Sequence, residues 1–517
     1  MKKLKNYRVF FFPMTSKFLR FFSPFTRVTT EIRKPDREIS FKDKIIYTLV
    51  ILVIYIIMSN IPIYGIATDA GNDMYYWLRV ILASKRGTLT EMGIGPIVTA
   101  GLIMQLLQGS KLINVNMGDP TDRALFTGAQ KVIAIGLTIF QSIAYIEGGA
   151  FGEIESTLFK ILVFLQLFLA GQVIILLDEV LQKGYGLGSG VSLFIATGVA
   201  GQIFWNAFSF FDVTAEGSDF LPRGIIIAFF AVLFGSHQFP EGHIQAGDEI
   251  GIGDLFLRNA GAPGLLGLLT TILIFLAVIY VQTMQVEIPL TYAGHKGYRG
   301  KYPMKLLYVS NIPVILAQAL YANFLFFGQI LWNAKVENGW GDWINLIGEF
   351  TQATEGVDAS HLQPVGGLLY LITPPQGLSY ILDPANDQSL RLLLLHSVGY
   401  LLIFITICIV FGRIWVEVSG LAPRDIAGQI INSKMQIPGF RRSEKVIEKI
   451  LKRYIPTLTI LCGIIVGLLS FTADFLGALS SGTGLLLSVG IIQNYAETIG
   501  KEAAAESMPG MGGLLGM

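Results

Sequence analysis

Charged residues are scarce in this chain. They make up 15% of its 517 residues, whereas 52% are hydrophobic. A soluble protein carries about 25% charged residues, so the composition excludes a soluble fold and predicts a polytopic membrane protein. The net charge is only +1, which gives no overall support for nucleic-acid binding, although local basic clusters can still bind phosphates.

Cysteine is scarce too. The two cysteines, Cys408 and Cys462, both lie within apolar runs, so the sequence predicts neither a disulfide framework nor a metal site. A cleavable signal peptide is also missing, because the basic residues 1–44 lack an uninterrupted apolar region and a small-residue cleavage site.

Ionisable residues are nearly absent from the centres of the apolar runs. Ion-coupled transporters usually keep such a residue inside the bilayer, but here the acidic residues lie toward the ends of the runs. His396 is an isolated imidazole, more often a structural residue than a ligand. The protease-like motif "GIGD", Gly251–Asp254, lies in a polar loop without a second intramembrane aspartate. No Walker loop, zinc-protease motif or nucleophile elbow occurs, so we predict no enzymatic activity.

Apolar runs long enough to cross a bilayer are abundant. We predict ten spans, at Ile45–Tyr64, Leu89–Leu107, Ala124–Ile146, Leu158–Leu181, Leu187–Phe208, Leu265–Val286, Met304–Ile330, Leu392–Val416, Ile455–Leu476 and Gly484–Ile499. The run Ile225–Gly235 is too short to cross and is predicted to be an interfacial helix.

Basic residues are unevenly distributed among the connecting segments. Most of the 38 lysines and arginines fall in or beside residues 1–44, 108–123, 183–186, 288–303, 417–454 and the C-terminal tail. Cytoplasmic loops of membrane proteins are enriched in Lys and Arg. Ten spans with both termini in the cytoplasm place all of these segments on the cytoplasmic side.

Short similarities recur five spans apart. "GIGPIV" in the second span matches "SNIPVI" in the seventh, and "GLGSGVSLF" in the fifth matches "SSGTGLLLSV" in the tenth. An odd number of spans repeated in tandem gives two halves of opposite orientation, as in many transport folds. Each match is short, so an inverted repeat and chance agreement remain equally open.

Pairs of branched apolar residues mark two of these spans. Ile94 and Val98 are i and i+4 on one face of the second span, and Val191 and Ile195 are spaced likewise in the fifth. Close packing against small residues is the commoner reason for such a face. A hydrophobic constriction, which blocks water and ions by dewetting, explains it as well.

Two cytoplasmic loops are strongly basic. They contain "HKGYRGKYPMK", His295–Lys305, and "PGFRRSEKVIEKILKRYIP", Pro438–Pro456. Such clusters suit a phosphate backbone or acidic headgroups. They are equally explained as a topology signal.

Seven segments of the chain, in order, resemble the SecY family, the channel-forming subunit of the Sec protein-conducting translocon. They are "ILASKRGTLTEMGIGPIVTAGLIMQLLQGSKLI", "DRALFTGAQK", "LLDEVLQKGYGLGSGVSLFIATGV", "KYPMKLLYVSNIPVILAQALYANF", "GFRRSEK", "LKRYIPTLT" and "ADFLGALSSGTGLLL". The resemblance extends from about Glu31 to Glu497. "VEIPL" and "MQIPGFRR" are most similar to archaeal members, and "YYWLRVILASKRGTL" and "QKGYGLGSG" also resemble eukaryotic ones.

The resemblance implies an all-α polytopic membrane protein, with ten transmembrane helices in two inverted five-helix halves around a central pore with a lateral gate. It divides the chain into a basic N-terminal segment 1–44, an N-terminal half 45–210 with a plug at 72–84, an external loop 211–263, a C-terminal half 264–499 with ribosome-docking loops 288–303 and 417–454, and a tail 500–517.

The resemblance also assigns roles to residues. It implies a pore ring of Ile94, Val98, Val191, Ile195, Ile315 and Leu487, and a lateral-gate cluster of Thr99, Gln141 and Asn323. It implies a plug that includes Met74, Trp77, Arg79 and Ile81, and ribosome docking through Arg299, Lys301, Arg441, Arg442 and Lys445. Gln141 is neutral where some members have a carboxylate.

The implied function is a passive channel, without cofactors, that translocates secretory polypeptides and releases transmembrane segments sideways into the membrane. Its implied partners are two small single-span subunits of the SecE/gamma and beta types, the ribosome with its RNA, signal sequences and nascent chains and, indirectly, the signal recognition particle receptor. We expect an archaeal-type plasma membrane, with the endoplasmic reticulum as the alternative. The rival functions are an inverted-repeat ion-coupled small-molecule transporter and a scaffold that only docks ribosomes.

Overall fold

Helices account for most of the described chain. The computed structural model describes residues 17–26, 29–37, 39–66, 83–110, 112–113, 115, 120–147, 151, 154, 156–210, 221–235, 251–258, 263–292, 299–309, 312–338, 341–350, 364–375, 377–378, 390–433, 435–436 and 443–507. The helices before residue 240 are α1 Lys17–Thr26, α2 Phe41–Met58, α3 Gly95–Gly109, α4 Pro120–Glu147, α5 Thr157–Gln182, α6 Gly190–Phe208 and α7 Ile225–Phe234.

A second set of helices follows the external loop. They are α8 Leu265–Thr283, α9 Ile312–Asn338, α10 Ile344–Ile347, α11 Gly367–Ile372, α12 Leu390–Val418, α13 Pro423–Asn432, α14 Glu444–Phe475 and α15 Gly482–Ser507. Seven of the described helices, α4, α5, α6, α8, α9, α12 and α14, are long and apolar enough to cross a membrane. The other predicted spans coincide with α2, α3 and α15, so the helix order agrees with ten spans.

The glycines and the proline of the second predicted span mark the start of helix α3. The span was predicted from Leu89, but residues before Gly95 form turns. Gly93 has φ +50°, a backbone conformation that favours glycine, and Pro96 lies in the first turn of the helix, where its missing N–H is not needed. The predicted start was therefore wrong, and α3 is shorter than an average bilayer core.

Parts of the two basic loops form a small sheet, which was not predicted from the sequence. Strand β1, Gln285–Tyr292, pairs antiparallel with β2, Arg299–Lys305. The other edge of β1 pairs with β5, Met435–Gln436. The sixth and seventh spans were therefore predicted too long, because Val286 and Met304 belong to strands. A second hairpin, β3 Glu349–Phe350 and β4 Pro364–Gly366, lies between α10 and α11.

Two further helices refine the sequence prediction. Helix α7 has ten residues, or about 15 Å at 1.5 Å per residue, which is too short to cross a bilayer, as predicted; its interfacial location stays a prediction. Helix α14 begins at Glu444, well before the predicted start of the ninth span at Ile455. The basic stretch before Ile455 is therefore helical, and it continues directly into the membrane span.

One apolar core joins helices from both halves of the chain. It includes Ile94 and Phe194 from the first half and Phe404 and Leu487 from the second. The outer helices instead expose large apolar side chains, such as Leu273 of α8. Apolar side chains therefore fill the interior and also cover the outer surface, as expected for a helix bundle that is surrounded by lipid.

Candidate functional site

The six predicted pore-ring residues lie in a single apolar cluster. Ile94, Ile195 and Leu487 are each no more than 2% exposed, and Val98 is also buried. Val191 and Ile315 are half-buried and pack against the same cluster. The six come from both halves of the chain, at or within α3, α6, α9 and α15, and the apolar core to which they belong joins the two halves.

Local backbone geometry explains how Ile94 and Val98 share a face. Ile94 is the N-cap residue of α3, and the Val98 N–H donates to the Ile94 carbonyl at 3.0 Å. The two side chains therefore lie one helical turn apart on the buried side. Branched apolar side chains offer nothing to coordinate an ion, so this surface can exclude water and ions but cannot bind them.

Helices α6 and α15 form an antiparallel pair. The Tyr495 hydroxyl of α15 is within hydrogen-bond distance of the Leu187 and Ser189 carbonyls, at 3.1 and 3.2 Å, just before α6 begins. At the other end, the Ser480 hydroxyl donates to Gln202 Oε1 at 2.8 Å, just before α15 begins. Each helix therefore starts beside the later part of the other.

A further hydrogen bond strengthens this pair. The Asn206 amide of α6 donates to the Leu479 carbonyl at 2.7 Å. The guanidinium of Arg223 donates in turn to the side-chain oxygen of Asn206 at 3.3 Å. The sequence prediction missed Asn206 and Tyr495, because neither belongs to an apolar face or to a recognised motif.

Two of the three predicted gate residues are in contact. The Asn323 side-chain amide of α9 donates to the Thr99 hydroxyl of α3 at 3.0 Å, and to the Ala319 carbonyl at 2.6 Å. Gln141 is buried on α4, which packs against α3. The structure therefore brings Thr99 and Asn323 together and places Gln141 on the adjoining helix.

Aromatic contacts also join α4 to α9. Phe140 of α4 and Phe327 of α9 have ring centroids 6.1 Å apart, and Tyr145 stacks on Phe326 at 5.2 Å. Sequence reasoning missed these four residues. Their positions were available, since Phe140 precedes Gln141 and the two phenylalanines of α9 follow Asn323 by about one turn.

The plug residues Met74, Trp77, Arg79 and Ile81 lie outside the described residues. The segments on either side of residues 67–82 are held together, because the Ile63 N–H donates to the Gly87 carbonyl at 2.8 Å and the Leu89 N–H donates to the Ile61 carbonyl at 3.0 Å.

The C-terminal end of the predicted plug segment packs against the first half. Ala83 is buried and accepts a hydrogen bond from the Tyr55 hydroxyl of α2. Its Cα lies 3.5 Å from the position of a Cβ added to Gly198 of α6. The segment therefore ends between α2 and a helix of the pore cluster.

The predicted docking residues divide between the sheet and α14. The backbone of Arg299 pairs with Thr291 in the sheet. Lys301 is exposed and forms an ion pair with Glu287 of the neighbouring strand. Lys445 is exposed at the start of α14, and Arg441 and Arg442 lie outside the described residues.

Helix α14 carries a basic face at its N-terminal end. Lys445, Lys449, Lys452 and Arg453 are exposed, whereas Ile447, Leu451 and Ile455 on the opposite side are buried. The sheet brings the two basic loops side by side, because β5 ends at Gln436 shortly before this helix. Within the described residues, no group of three His, Cys, Asp or Glu could hold a metal ion.

Comparison with known proteins identifies two matching regions. The SecY family profile matches residues 88–496, and the profile of the plug domain of Sec61p matches residues 53–87. Together they cover the pore cluster, the proposed gate, the docking loops and the segment that contains residues 67–82.

Several solved structures are similar over nearly the whole chain. A structure reported as a protein-conducting channel is 36% identical, with 95% of this chain and 99% of that chain covered and a TM-score of 0.73. A SecY structure reported for its plug domain, which stabilises the closed state and maintains a membrane seal, is 36% identical with the same coverage and a TM-score of 0.72. Sec61 in the canine ribosome-channel complex from the endoplasmic reticulum is 34% identical, again with 95% and 99% coverage, and has a TM-score of 0.71. The chain therefore belongs to the SecY family of protein-conducting translocation channels.

Proposed function

We propose that the six predicted ring residues, which all belong to or pack against the apolar core shared by the two halves, are the seal of this channel in its resting state. The observation that carries this proposal is that six residues from both halves share one apolar cluster, with Ile94, Ile195 and Leu487 almost fully buried. An apolar ring blocks ions by dewetting and adapts to a polypeptide of any sequence. Val98 and Val191 are smaller than Ile or Leu, so the ring is slightly wider on their side.

We propose that the lateral gate opens between α3 and α4 on one side and α9 and α12 on the other. Its contacts are mainly aromatic and apolar, and an apolar signal sequence can replace them at little cost, because lipid and side chains are similarly apolar. The hydrogen bond between Asn323 and Thr99 contributes about 1 kcal/mol to the closed state. A signal sequence shifts the population toward the open state by its higher affinity for that state.

We propose that residues 72–84 form the plug that closes the pore from outside. The match of residues 53–87 to the plug domain of Sec61p supports this assignment. So do the anchored ends of the segment, at the Ile63–Gly87 pairing and at the Tyr55–Ala83 contact. Met74, Trp77, Arg79 and Ile81 belong to the plug in this proposal.

We propose that ribosomal RNA docks on the basic loops through Arg299, Lys301, Arg441, Arg442 and Lys445. The sheet that joins the loops and the basic face of α14 support this proposal, as does the similarity to Sec61, which was solved in a ribosome-channel complex. Because phosphate contacts release counterions, binding is expected to weaken steeply with salt. The ribosome, or another motor, supplies the energy for movement.

We propose that the chain lies in an archaeal-type plasma membrane, with both termini in the cytoplasm, and works with two small single-span subunits. The distribution of Lys and Arg supports the orientation. The exposed apolar faces of α2 and α8 are available for single-span helices or lipid. Family membership favours this channel over the rival ion-coupled transporter.

Single-channel conductance in planar bilayers tests the proposal. The full-length channel, purified with its small subunits, is expected to be silent and to conduct ions once residues 72–84 are deleted. In the deleted channel, Ile94→Ala and Ile195→Ala are expected to admit larger ions. Leu165→Ala and Leu169→Ala, on the exposed face of α5, are the matched controls. Failure of both the intact and the deleted channel to conduct, even with a signal peptide, contradicts the channel assignment of these residues.

A further inference from the structure

A buried aspartate caps the start of helix α6. Asp178, near the end of α5, is 5% exposed. Its Oδ1 accepts from the Val191 N–H at 3.1 Å, and its Oδ2 accepts from the Gln182 side chain at 2.7 Å. Val191 is a member of the proposed pore ring, so this carboxylate binds the backbone of the ring directly.

An equivalent aspartate caps the start of α15. Asp474 lies near the end of α14, and its Oδ1 accepts from the Gly482 N–H at 2.6 Å. Gly482 is the first residue of α15, and the ring residue Leu487 follows a little over one turn later. In both halves, then, an aspartate near the end of one helix caps the start of the next helix, α6 or α15, and that next helix contains residues of the proposed ring.

Glycine at the first position allows both close approaches. A Cβ on Gly190 would lie 2.7 Å from the Asp178 Cα, and a Cβ on Gly482 would lie 2.1 Å from the Ser470 carbonyl oxygen. Side chains do not tolerate such distances. The glycines shared by the fifth and tenth spans therefore have a physical role in both halves, which supports the inverted repeat.

The two caps lie at opposite ends of one antiparallel pair. The start of α6 contacts Tyr495 in the later part of α15, and Ser480 at the start of α15 contacts Gln202 in the later part of α6. Sliding either helix along its axis would therefore break the cap at its own start. An N-terminal carboxylate also interacts favourably with the helix dipole.

We infer that Asp178 and Asp474 are positioning residues for the pore seal, which they maintain by fixing the axial positions of α6 and α15. This inference rests on the proposed ring of Val191, Ile195 and Leu487. With either cap removed, the affected helix can shift, and its ring residues no longer lie level with those of the partner helix. The resting channel then conducts ions while its plug and gate residues are unchanged.

Ion leakage through the full-length channel with its plug intact tests this inference. Loss of an N-cap side chain is expected to raise the open fraction of the resting channel about tenfold for Asp178→Ala and for Asp474→Ala. Asp178→Asn and Asp474→Asn retain an acceptor oxygen of the same reach and are expected to stay within about twofold of the parent channel. Glu179→Ala is the matched control, because Glu179 adjoins Asp178 but pairs with Lys131.

The outcomes separate the inference from the proposed function. If Ile94→Ala and Ile195→Ala leak while both aspartate-to-alanine variants stay closed, the ring stands and the inference is wrong. If none of these variants leaks, and Ile94→Ala and Ile195→Ala also fail to admit larger ions in the channel without residues 72–84, the ring assignment fails as well. Asparagine variants that leak as much as the alanine variants would also overturn the inference, since they keep the acceptor.

Longer side chains provide a second test if an alanine variant does not assemble. Asp178→Glu and Asp474→Glu retain the carboxylate but lengthen it by one methylene, which displaces the start of the capped helix. We expect assembled channels with the same leak. A closed channel in both glutamate variants contradicts the inference.

Discussion

The two halves of the channel meet along two edges with different chemistry. At the edge of the proposed lateral gate, called the gate edge, α3 and α4 contact α9 mainly through aromatic and apolar side chains, with the Asn323–Thr99 hydrogen bond between them. At the rear edge, α6 and α15 are joined by hydrogen bonds from Tyr495 and Asn206 to backbone carbonyls and by the Ser480–Gln202 bond.

This difference indicates which edge can open. Apolar contacts at the gate edge can be exchanged for lipid or for a signal helix, because those surfaces are equally apolar. Hydrogen bonds at the rear edge have no replacement in a bilayer, where each unsatisfied polar group costs several kcal/mol. The rear edge is therefore suited to act as the hinge about which the gate edge separates.

Covalent linkage gives the largest expected contrast between the edges. A short bifunctional methanethiosulfonate, which forms a disulfide with each cysteine and releases sulfinate, is used to join Thr99→Cys to Asn323→Cys. This link is expected to abolish translocation, because it prevents the gate edge from separating. The same reagent across Gln202→Cys and Ser480→Cys is expected to leave most translocation intact. Transport of a secretory protein into proteoliposomes, before and after reduction, measures both.

The two native thiols, Cys408 and Cys462, are at most 3% exposed. The parent channel treated with the reagent is the control for any reaction at these thiols. Full translocation with the gate edge linked would contradict the proposed gate. Equal loss with either edge linked would contradict the assignment of the rear edge as a hinge.

The sequence predicted the helices of both edges better than the contacts between them. Apolar runs predicted the spans, although the second was predicted to begin at Leu89 and its helix begins at Gly95. The amphipathic spacing of Ile447, Leu451 and Ile455 could also have predicted the early start of α14.

Contacts between distant segments could not be predicted in this way. The pairing of β1 with β5 joins Thr291 to Gln436, and no local pattern specifies such a long-range register. Asp178 and Asp474 were noted only as residues near span ends. Their role depends on where the next helix lies in the tertiary structure, and hydrophobic periodicity contains no information on that position.

Removing the Tyr495 hydroxyl should weaken the rear edge. Tyr495→Phe deprives the Leu187 and Ser189 carbonyls of a donor, so we expect a loss of about 1–3 kcal/mol in stability. Thermal unfolding of the purified complex measures it. Tyr280→Phe, an exposed residue of α8, is the control. An unchanged melting temperature in Tyr495→Phe would show that these bonds do not stabilise the hinge.

The Asn323–Thr99 hydrogen bond at the gate edge predicts a smaller effect. Asn323→Ala and Thr99→Val each remove the same bond, so each should weaken the closed state by about 1 kcal/mol, or about fivefold in the closed-to-open ratio. Translocation of precursors with weakened signal sequences should rise accordingly. The double variant should show no further rise, since the two changes act on one interaction. Additive effects would mean that Asn323 and Thr99 stabilise the closed gate independently.

An ion pair between the N-terminal segment and the end of α5, away from both edges, gives the smallest expected effect. Glu31 accepts from Lys183 at 2.6 Å, and that hydrogen bond is the main reason why the pKa of Glu31 lies below its usual value of 4.5, with burial opposing the shift. A depressed folded pKa stabilises the docked N-terminal segment at pH values above 4.5, and this contribution is lost as the pH falls through the folded pKa. Because the Glu31 side chain is 67% exposed, the contribution is expected to be below about 1 kcal/mol.

Limited proteolysis of the N-terminal segment between pH 7 and pH 3 measures this contribution. Cleavage in residues 27–38 should increase only below pH 4.5 in the parent channel. Glu31→Gln should increase it modestly at pH 7 and remove most of the pH dependence, and Asp36→Asn is the matched control on the same segment. Ion conductance should not follow cleavage, because this pair joins the N-terminal segment to the end of α5 within the first half and crosses neither edge. A leak that rises together with cleavage would show that the N-terminal segment, and not the two edges alone, controls the closed state.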